Sequence, residues 1–405
     1  MRKFCSTVFF AAMLAATASH ARAQEPNFGR ALALTATELF IGQPVNWYGP
    51  GIVYGYRVDA SEEWRERSRL MASDSARMDD FGRSLAVDGN TLVIGAPRKR
   101  GGSGVAYAFE RASAGADWRQ VAIIEPPGAG DHSEYASALA LSGADLLIGA
   151  PAADSTGVVY HFRRTGGSWR LHGVIRPGSE TGAVAFGRTM SQEGEWLLVG
   201  APAADSGAGK VFFSRRQANG EWGEPTVANL PQSARSAGAR VGSAVLLNGD
   251  TAYIGAPGAA TVFVLVRDSA GVWSSSGELH PFDASRGTQF GYSLGVVGGE
   301  VWIGAPGVNG SNGRVYRFIR DAAGGWRSAH RFDADSADGT SWPFAFGFSI
   351  ASAGDRAVVG MPLRDFGEGR ALVVAREGGA WQPRQLLEGQ IFSIGRTLTP
   401  GARCE

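Results

Sequence analysis

Phe81–Pro97 reads FGRSLAVDGNTLVIGAP, and two further extended runs follow it, GVAYAFER from Gly104 and WRQVAIIEP from Trp118. Asp88-Gly89-Asn90 separates the first run from the second, and these residue types tolerate the positive φ of a tight hairpin. TLVIGAP is apolar without alternation, so both faces of that strand are expected to be buried. None of the four runs has a helical period. Together they describe one four-stranded antiparallel sheet, whereas an isolated pair of strands would be marginal in water.

The unit repeats along the chain. Trp64, Trp118, Trp169, Trp222, Trp273, Trp326 and Trp381 each open a polar fourth strand at spacings of 51 to 55 residues. Before each lies an apolar run closing on Gly, a small or unbranched residue, and Pro: Ile41–Pro44, Ile94–Pro97, Ile148–Pro151, Val199–Pro202, Ile254–Pro257, Ile303–Pro306 and Val359–Pro362. Earlier still stands an aromatic-Gly pair: Phe28-Gly29, Phe81-Gly82, Phe186-Gly187, Phe290-Gly291 and Phe346-Gly347, altered to Tyr135-Ala136 and Val241-Gly242. A ring here can wedge between neighbouring sheets, and Gly lets backbones approach where a Cβ would collide. A fixed period of this length means stacked supersecondary units. Closing seven sheets radially hides their end faces, whereas an open stack needs polar caps for which the chain leaves no room. The expected fold is therefore all-β, a seven-bladed β-propeller of four-stranded antiparallel blades.

Arg2 and Lys3 precede an apolar stretch, Val8–Ala18, that ends on Ala21-Arg22-Ala23, the pattern of a secretory signal peptide over residues 1–23. The propeller is assigned to 24–390. Residues 391–405, where Ile394-Gly395-Arg396-Thr397-Leu398 repeats a blade opening, are read as a ring-closing segment or a tail. Cleavage would take the formal charge from +1 to −2 and leave Cys404 as the one cysteine. An almost neutral chain without a basic stripe is not built for nucleic acid, and no later run is apolar enough to span a bilayer. The expected product is a secreted, periplasmic or extracellular monomer held by its apolar core rather than by disulfides.

The pairings of FGRSLAV with TLVIGAP, FGRTM with LLVGAP, and FGYSLGV with VWIGAP resemble the FG-GAP repeat of the integrin alpha-subunit propeller and of secreted bacterial FG-GAP proteins, over residues 27–388. The resemblance implies a binding scaffold with an adhesion-like role. The integrin calcium loop, an Asp-rich DxDxDG, has no counterpart in these two- or three-residue hairpin turns, so no metal or cofactor is expected.

Function is less legible. Asp154, Asp205, Asn309 and Asp365 recur in the loop after Gly-Ala-Pro, with Trp47, Tyr48, Trp342 and Phe366 nearby. They read either as turn-closing groups or as a polar rim that binds glycan or polypeptide. The periodic Trp side chains could stack on sugars in a lectin, or cover blade edges beneath the Arg that follows several of them. Five later His residues share no metal-ligand spacing, and no nucleophile elbow or phosphate loop is present. The expected function is a non-enzymatic scaffold for protein or surface ligands, with a carbohydrate-binding lectin as the alternative. A glycan-processing enzyme, built from axial carboxylates of different blades, comes third.

Overall fold

The computed structural model describes residues 27–389 except 46–48, 129–131, 181, 284–286, 309–311, 323, 334–344 and 363–368. Its strands form seven antiparallel four-stranded sheets, each built from strands consecutive in sequence. The inner strands are Ala31–Leu34, Ser84–Asp88, Ala138–Ser142, Thr189–Glu193, Ala244–Asn248, Ser293–Val297 and Ser349–Ala353, and the blades are numbered 1 to 7 in that order. Each inner strand packs against those of the two neighbouring blades, the last against the first. That ring of contacts puts the first strand of every blade at the axis.

The second strands are the buried heart of each blade. Thr91–Ala96 is buried at every residue, as its unbroken apolar run requires. The aromatic of each aromatic-Gly pair fills a seam: Phe28, Phe81, Tyr135, Phe186 and Phe290 are all at most 1% exposed. The second-strand Gly serves the same seam. A Cβ added at Gly360 would collide with the Gly29 carbonyl oxygen across the closing junction, and one at Gly304 with that of Gly347.

The closing junction uses the same contacts as the interior ones. Ser349 Oγ donates to the Gly29 carbonyl at 2.7 Å, just as Ser293 Oγ donates to that of Gly347 at 2.7 Å. At the outer edge the Gln385 side-chain amide accepts from Trp64 N at 2.8 Å and donates to Trp64 O at 2.9 Å. The expected role of residues 391–399 at this junction lies outside the described residues, as does the leader at 1–23.

The periodic Trp residues are seam plugs, and none is exposed. Each indole that makes an aromatic contact reaches back to the preceding blade: Trp118 meets Phe40 edge-on at 5.5 Å, Trp326 meets Tyr253 at 5.9 Å, and Trp381 meets Trp302 at 5.0 Å. An Arg does stack on them, but it comes from the end of the third strand rather than from the position after the Trp. Arg111 lies 4.6 Å from the Trp118 ring and Arg320 4.8 Å from that of Trp326.

Candidate functional site

Seven equivalent turns surround one end of the axis. In each, the residue before the aromatic accepts a hydrogen bond through its carbonyl from the amide N–H of the residue after the Gly or Ala, at 3.0 to 3.3 Å. The pairs so formed are Asn27 and Arg30, Asp80 and Arg83, Glu134 and Ser137, Ala185 and Arg188, Arg240 and Ser243, Gln289 and Tyr292, and Ala345 and Phe348. Six of the leading residues hold a left-handed backbone, Asp80 at φ +58° and Glu134 at +52° among them. None of the six is Gly, so each turn carries backbone strain. The trailing residue leads into the inner strand, so every blade sets two side chains around the axial mouth.

The mouth is lopsided. Blades 1 to 5 contribute Arg30, Asp80, Arg83, Glu134, Arg188 and Arg240, while blades 6 and 7 contribute Tyr292 and Phe348 without a charge. Ring closure joins the two arcs. The Arg30 guanidinium carbon sits 4.8 Å from the Phe348 ring centroid, and Phe348 packs on Tyr292 at 4.7 Å with the rings tilted by 49°. Arg188 pairs with Glu134 at 2.7 Å.

Asp80 is the unusual member. It is 7% exposed, its Oδ2 lies 3.4 Å from Arg98 Nε, and its Oδ1 is buried with no hydrogen-bond partner. Burial pushes its carboxyl above the ordinary range; Arg98 and Arg30 oppose that shift, and Asp79 and Glu134 add to it. The Arg30 Nε is likewise buried with no hydrogen-bond partner. Burial lowers the Arg30 pKa, against the opposing influence of Tyr292 and Asp80. Burial likewise raises Tyr292, which faces Arg30 and Arg240. An unfilled acceptor and an unfilled donor sharing one mouth suit a ligand group that both gives and takes hydrogen bonds.

The candidates drawn from the loops after Gly-Ala-Pro are placed elsewhere. Asp154 is left-handed at φ +50° and pairs with Arg176 at 3.0 Å, both side chains exposed. Asp205, at φ +48°, lies 3.3 Å from Lys210 and borders a cleft of about 380 Å³ on blade 4. No described contact joins the two, and each stays with its own blade. Trp47, Tyr48, Asn309, Trp342, Asp365 and Phe366 lie outside the described residues.

Sequence reasoning passed over Asp80, Arg30 and Phe348 although it singled out the motif between them. The available signal was variation at a fixed repeat phase. The aromatic-Gly pair is kept because a seam demands it, while the flanking positions change from blade to blade. Among the described residues no three His, Cys, Asp or Glu side chains gather as a metal cage, and no helix is long and apolar enough to cross a membrane.

The FG-GAP repeat family model matches residues 64–109. None of the curated proteins compared matches the chain. Among solved structures, the periplasmic gluconolactonase of Pseudomonas aeruginosa is 17% identical, with a TM-score of 0.57 over 90% of this chain and 95% of that one. Putative 6-phosphogluconolactonases from Bacteroides uniformis (12% identical, TM-score 0.57, 84% of this chain and 93% of that one) and Bacteroides fragilis (13%, 0.57, 88% and 97%) match as well.

These findings correct the integrin-type resemblance, and with it the non-enzymatic scaffold and the adhesion role. The family model reaches one stretch near blade 2, while the periplasmic gluconolactonase and the two putative 6-phosphogluconolactonases align over 84 to 90% of this chain. The physical reason is that Phe-Gly and Gly-Ala-Pro record how blades converge, a steric demand indifferent to what the axis does. Nor does the lack of a local catalytic motif argue against catalysis, because groups contributed by separate blades leave none.

Proposed function

We propose that the protein is an exported hydrolase of the lactonase type, opening a small polyhydroxylated lactone at the axial mouth. The observation that carries this reading is the buried Asp80 Oδ1 without a hydrogen-bond partner, at a mouth that also holds the unpartnered Nε of Arg30. The likeness to bacterial gluconolactonase-type propellers supports the choice of reaction class, and the periplasmic description of one of them agrees with the leader-like N-terminus.

In this reading Asp80 Oδ1 accepts a hydrogen bond from a water molecule and takes its proton as the water oxygen attacks the lactone carbonyl carbon. A carboxylate raised toward neutrality by burial is a stronger base than a solvated one. The guanidinium of Arg30 donates to the carbonyl oxygen as it gains charge, in a site where reduced solvent strengthens the interaction. Collapse of the tetrahedral intermediate breaks the ring C–O bond. The leaving alkoxide recovers the proton from Asp80, and the product is the open hydroxy acid. Arg98 lies 3.4 Å from the second Asp80 oxygen and offsets part of its charge.

The test is acid release from glucono-δ-lactone and related aldonolactones, measured above the spontaneous rate. The wild-type chain should accelerate ring opening, and Asp80→Asn should lower kcat/KM by about 10²- to 10⁴-fold. No acceleration with any aldonolactone, or an Asp80→Asn variant as active as wild type, overturns the reading. Binding of the hydroxy acids without turnover would mark the mouth as a lectin-like site instead.

A further inference from the structure

Arg30 and Asp80 feel each other's charge, yet they form neither a hydrogen bond nor an ion pair. Two opposite charges in a shielded mouth ordinarily close on one another, since such pairing satisfies both groups at once. Here Arg30 lies against the face of Phe348, which is backed in turn by Tyr292. Phe348 comes from the last blade and Arg30 from the first, so only the closed ring assembles the stack. We propose that Phe348 and Tyr292 are positioning residues, whose ring stack holds the Arg30 guanidinium off Asp80 and keeps Asp80 Oδ1 open to the attacking water.

The proposal rests on the lactonase reading for its catalytic consequence, but the contact it describes is testable without substrate. Cation–π attraction favours the guanidinium lying flat over the ring, and partial desolvation strengthens that attraction. Without the ring, Arg30 is free to turn its unfilled Nε–H toward Asp80 Oδ1, each supplying what the other lacks. A carboxylate so paired becomes a weaker base, and the acceptor needed by the water is occupied. The groups facing this pair are Arg98, Asp79 and Glu134 around Asp80, with Arg98 and Tyr292 around Arg30 and Arg240 beyond Tyr292. All are retained in the variants below, so only the ring changes.

Phe348→Leu keeps apolar volume and removes the π face; Phe348→Tyr restores the face. In Phe348→Leu the acid limb of the kcat/KM profile should move down by about one pH unit, the lower end of what a newly formed opposite-charge contact produces. The kcat should fall at least about tenfold with little change in KM, because the loss is made in the transition state rather than in binding. Phe348→Tyr should bring back the original limb. An unmoved limb, with or without loss of rate, overturns the proposal, because a merely structural ring would lower activity without changing the basicity of Asp80.

The measurement without substrate is a double-mutant cycle of stability at pH 8. Asp80→Asn should be neutral or stabilising in the wild-type background and destabilising in Phe348→Leu, where it would remove a newly made ion pair. Equal effects in both backgrounds overturn the stack as a spacer. If no lactone is turned over, the lactonase reading falls, while this cycle still decides the role of Phe348.

Discussion

The two ends of the axis answer the same electrostatic problem in opposite ways. At the hairpin end, three blades begin their second strand with a carboxylate, buried at Glu38 and Glu300 and half-buried at Asp145, and each is met by at least two donors. Glu38, 5% exposed, is bound by Arg57 at 2.9 Å and by Arg111 from the next blade. Asp145 receives His161 Nε2 at 2.7 Å, Arg163 at 3.0 Å and Arg216 from the next blade at 2.6 Å. Glu300 receives Arg317 at 2.8 Å and the Trp381 indole N–H at 3.0 Å. Even the cleft of about 220 Å³ between blades 1 and 2, lined by Glu38, Arg57 and Trp118, has these charges turned on one another. At the other end Asp80 is nearly as buried, at 7% exposed, and keeps an empty oxygen. Glu38, Asp145 and Glu300 are spent on holding neighbouring blades together, whereas Asp80 at the mouth keeps an oxygen outside any such pair.

The largest effect that sharpens the contrast should come from Glu38→Gln. It leaves the buried Arg111 without its charge partner, and breaking such a pair costs about 3 kcal/mol or more. Denaturant midpoints measure it, and a cost below about 1 kcal/mol would show that the hairpin end is not held by these pairs. Asp80→Asn, at the mouth, should show no comparable loss.

Tyr135→Phe tests whether every unfilled buried polar group marks function. Tyr135 stands where five other blades have Phe before Gly, and it is fully buried with its hydroxyl unpartnered. Removing that oxygen should stabilise the fold by about 1 kcal/mol, the lower end of the desolvation cost of an unmet hydroxyl, and leave hydrolysis unchanged. A loss of stability would mean that the hydroxyl is bonded in solution, and a loss of activity would extend the functional region to the blade 2–3 seam.

The smallest effects are pH slopes, and the two ends should give them opposite signs. Burial acts to raise Asp145, but hydrogen bonds from Arg216, His161 and Arg163 prevail and hold it below the usual range. Its contribution is present above the unfolded value of about 3.9 and lost as pH falls through the lower folded value. Asp80 is raised by burial, so its contribution is full below about 3.9 and lost as pH rises through the folded value. Asp145→Asn should flatten the acid side of the stability profile, and Asp80→Asn should flatten the decline above it. Slopes of the same sign at both sites would erase the distinction between the two ends.

What the sequence by itself determined is the part of the protein that repeats. Periodic Trp, aromatic-Gly and Gly-Ala-Pro positions are set by the fixed distance between neighbouring sheets, and a steric demand met seven times leaves a visible rhythm. Gly304 and Gly360 were legible as seam residues because no Cβ fits against the next blade. The site is legible only in part, because it is built from what does not repeat. Asp80, Arg30 and Phe348 flank the same motif in three different blades, and only ring closure brings the seventh blade's Phe348 over the first blade's Arg30, 4.8 Å apart. The loop residues Asp154 and Asp205 stood out in the sequence because they recur, yet recurrence followed local turn geometry, and their partners Arg176 and Lys210 lie in their own blades. The tertiary structure alone decided that one oxygen of Asp80 has no partner. Solvation and pairing belong to the space around a side chain, and in a closed ring that space is supplied by strands hundreds of residues away.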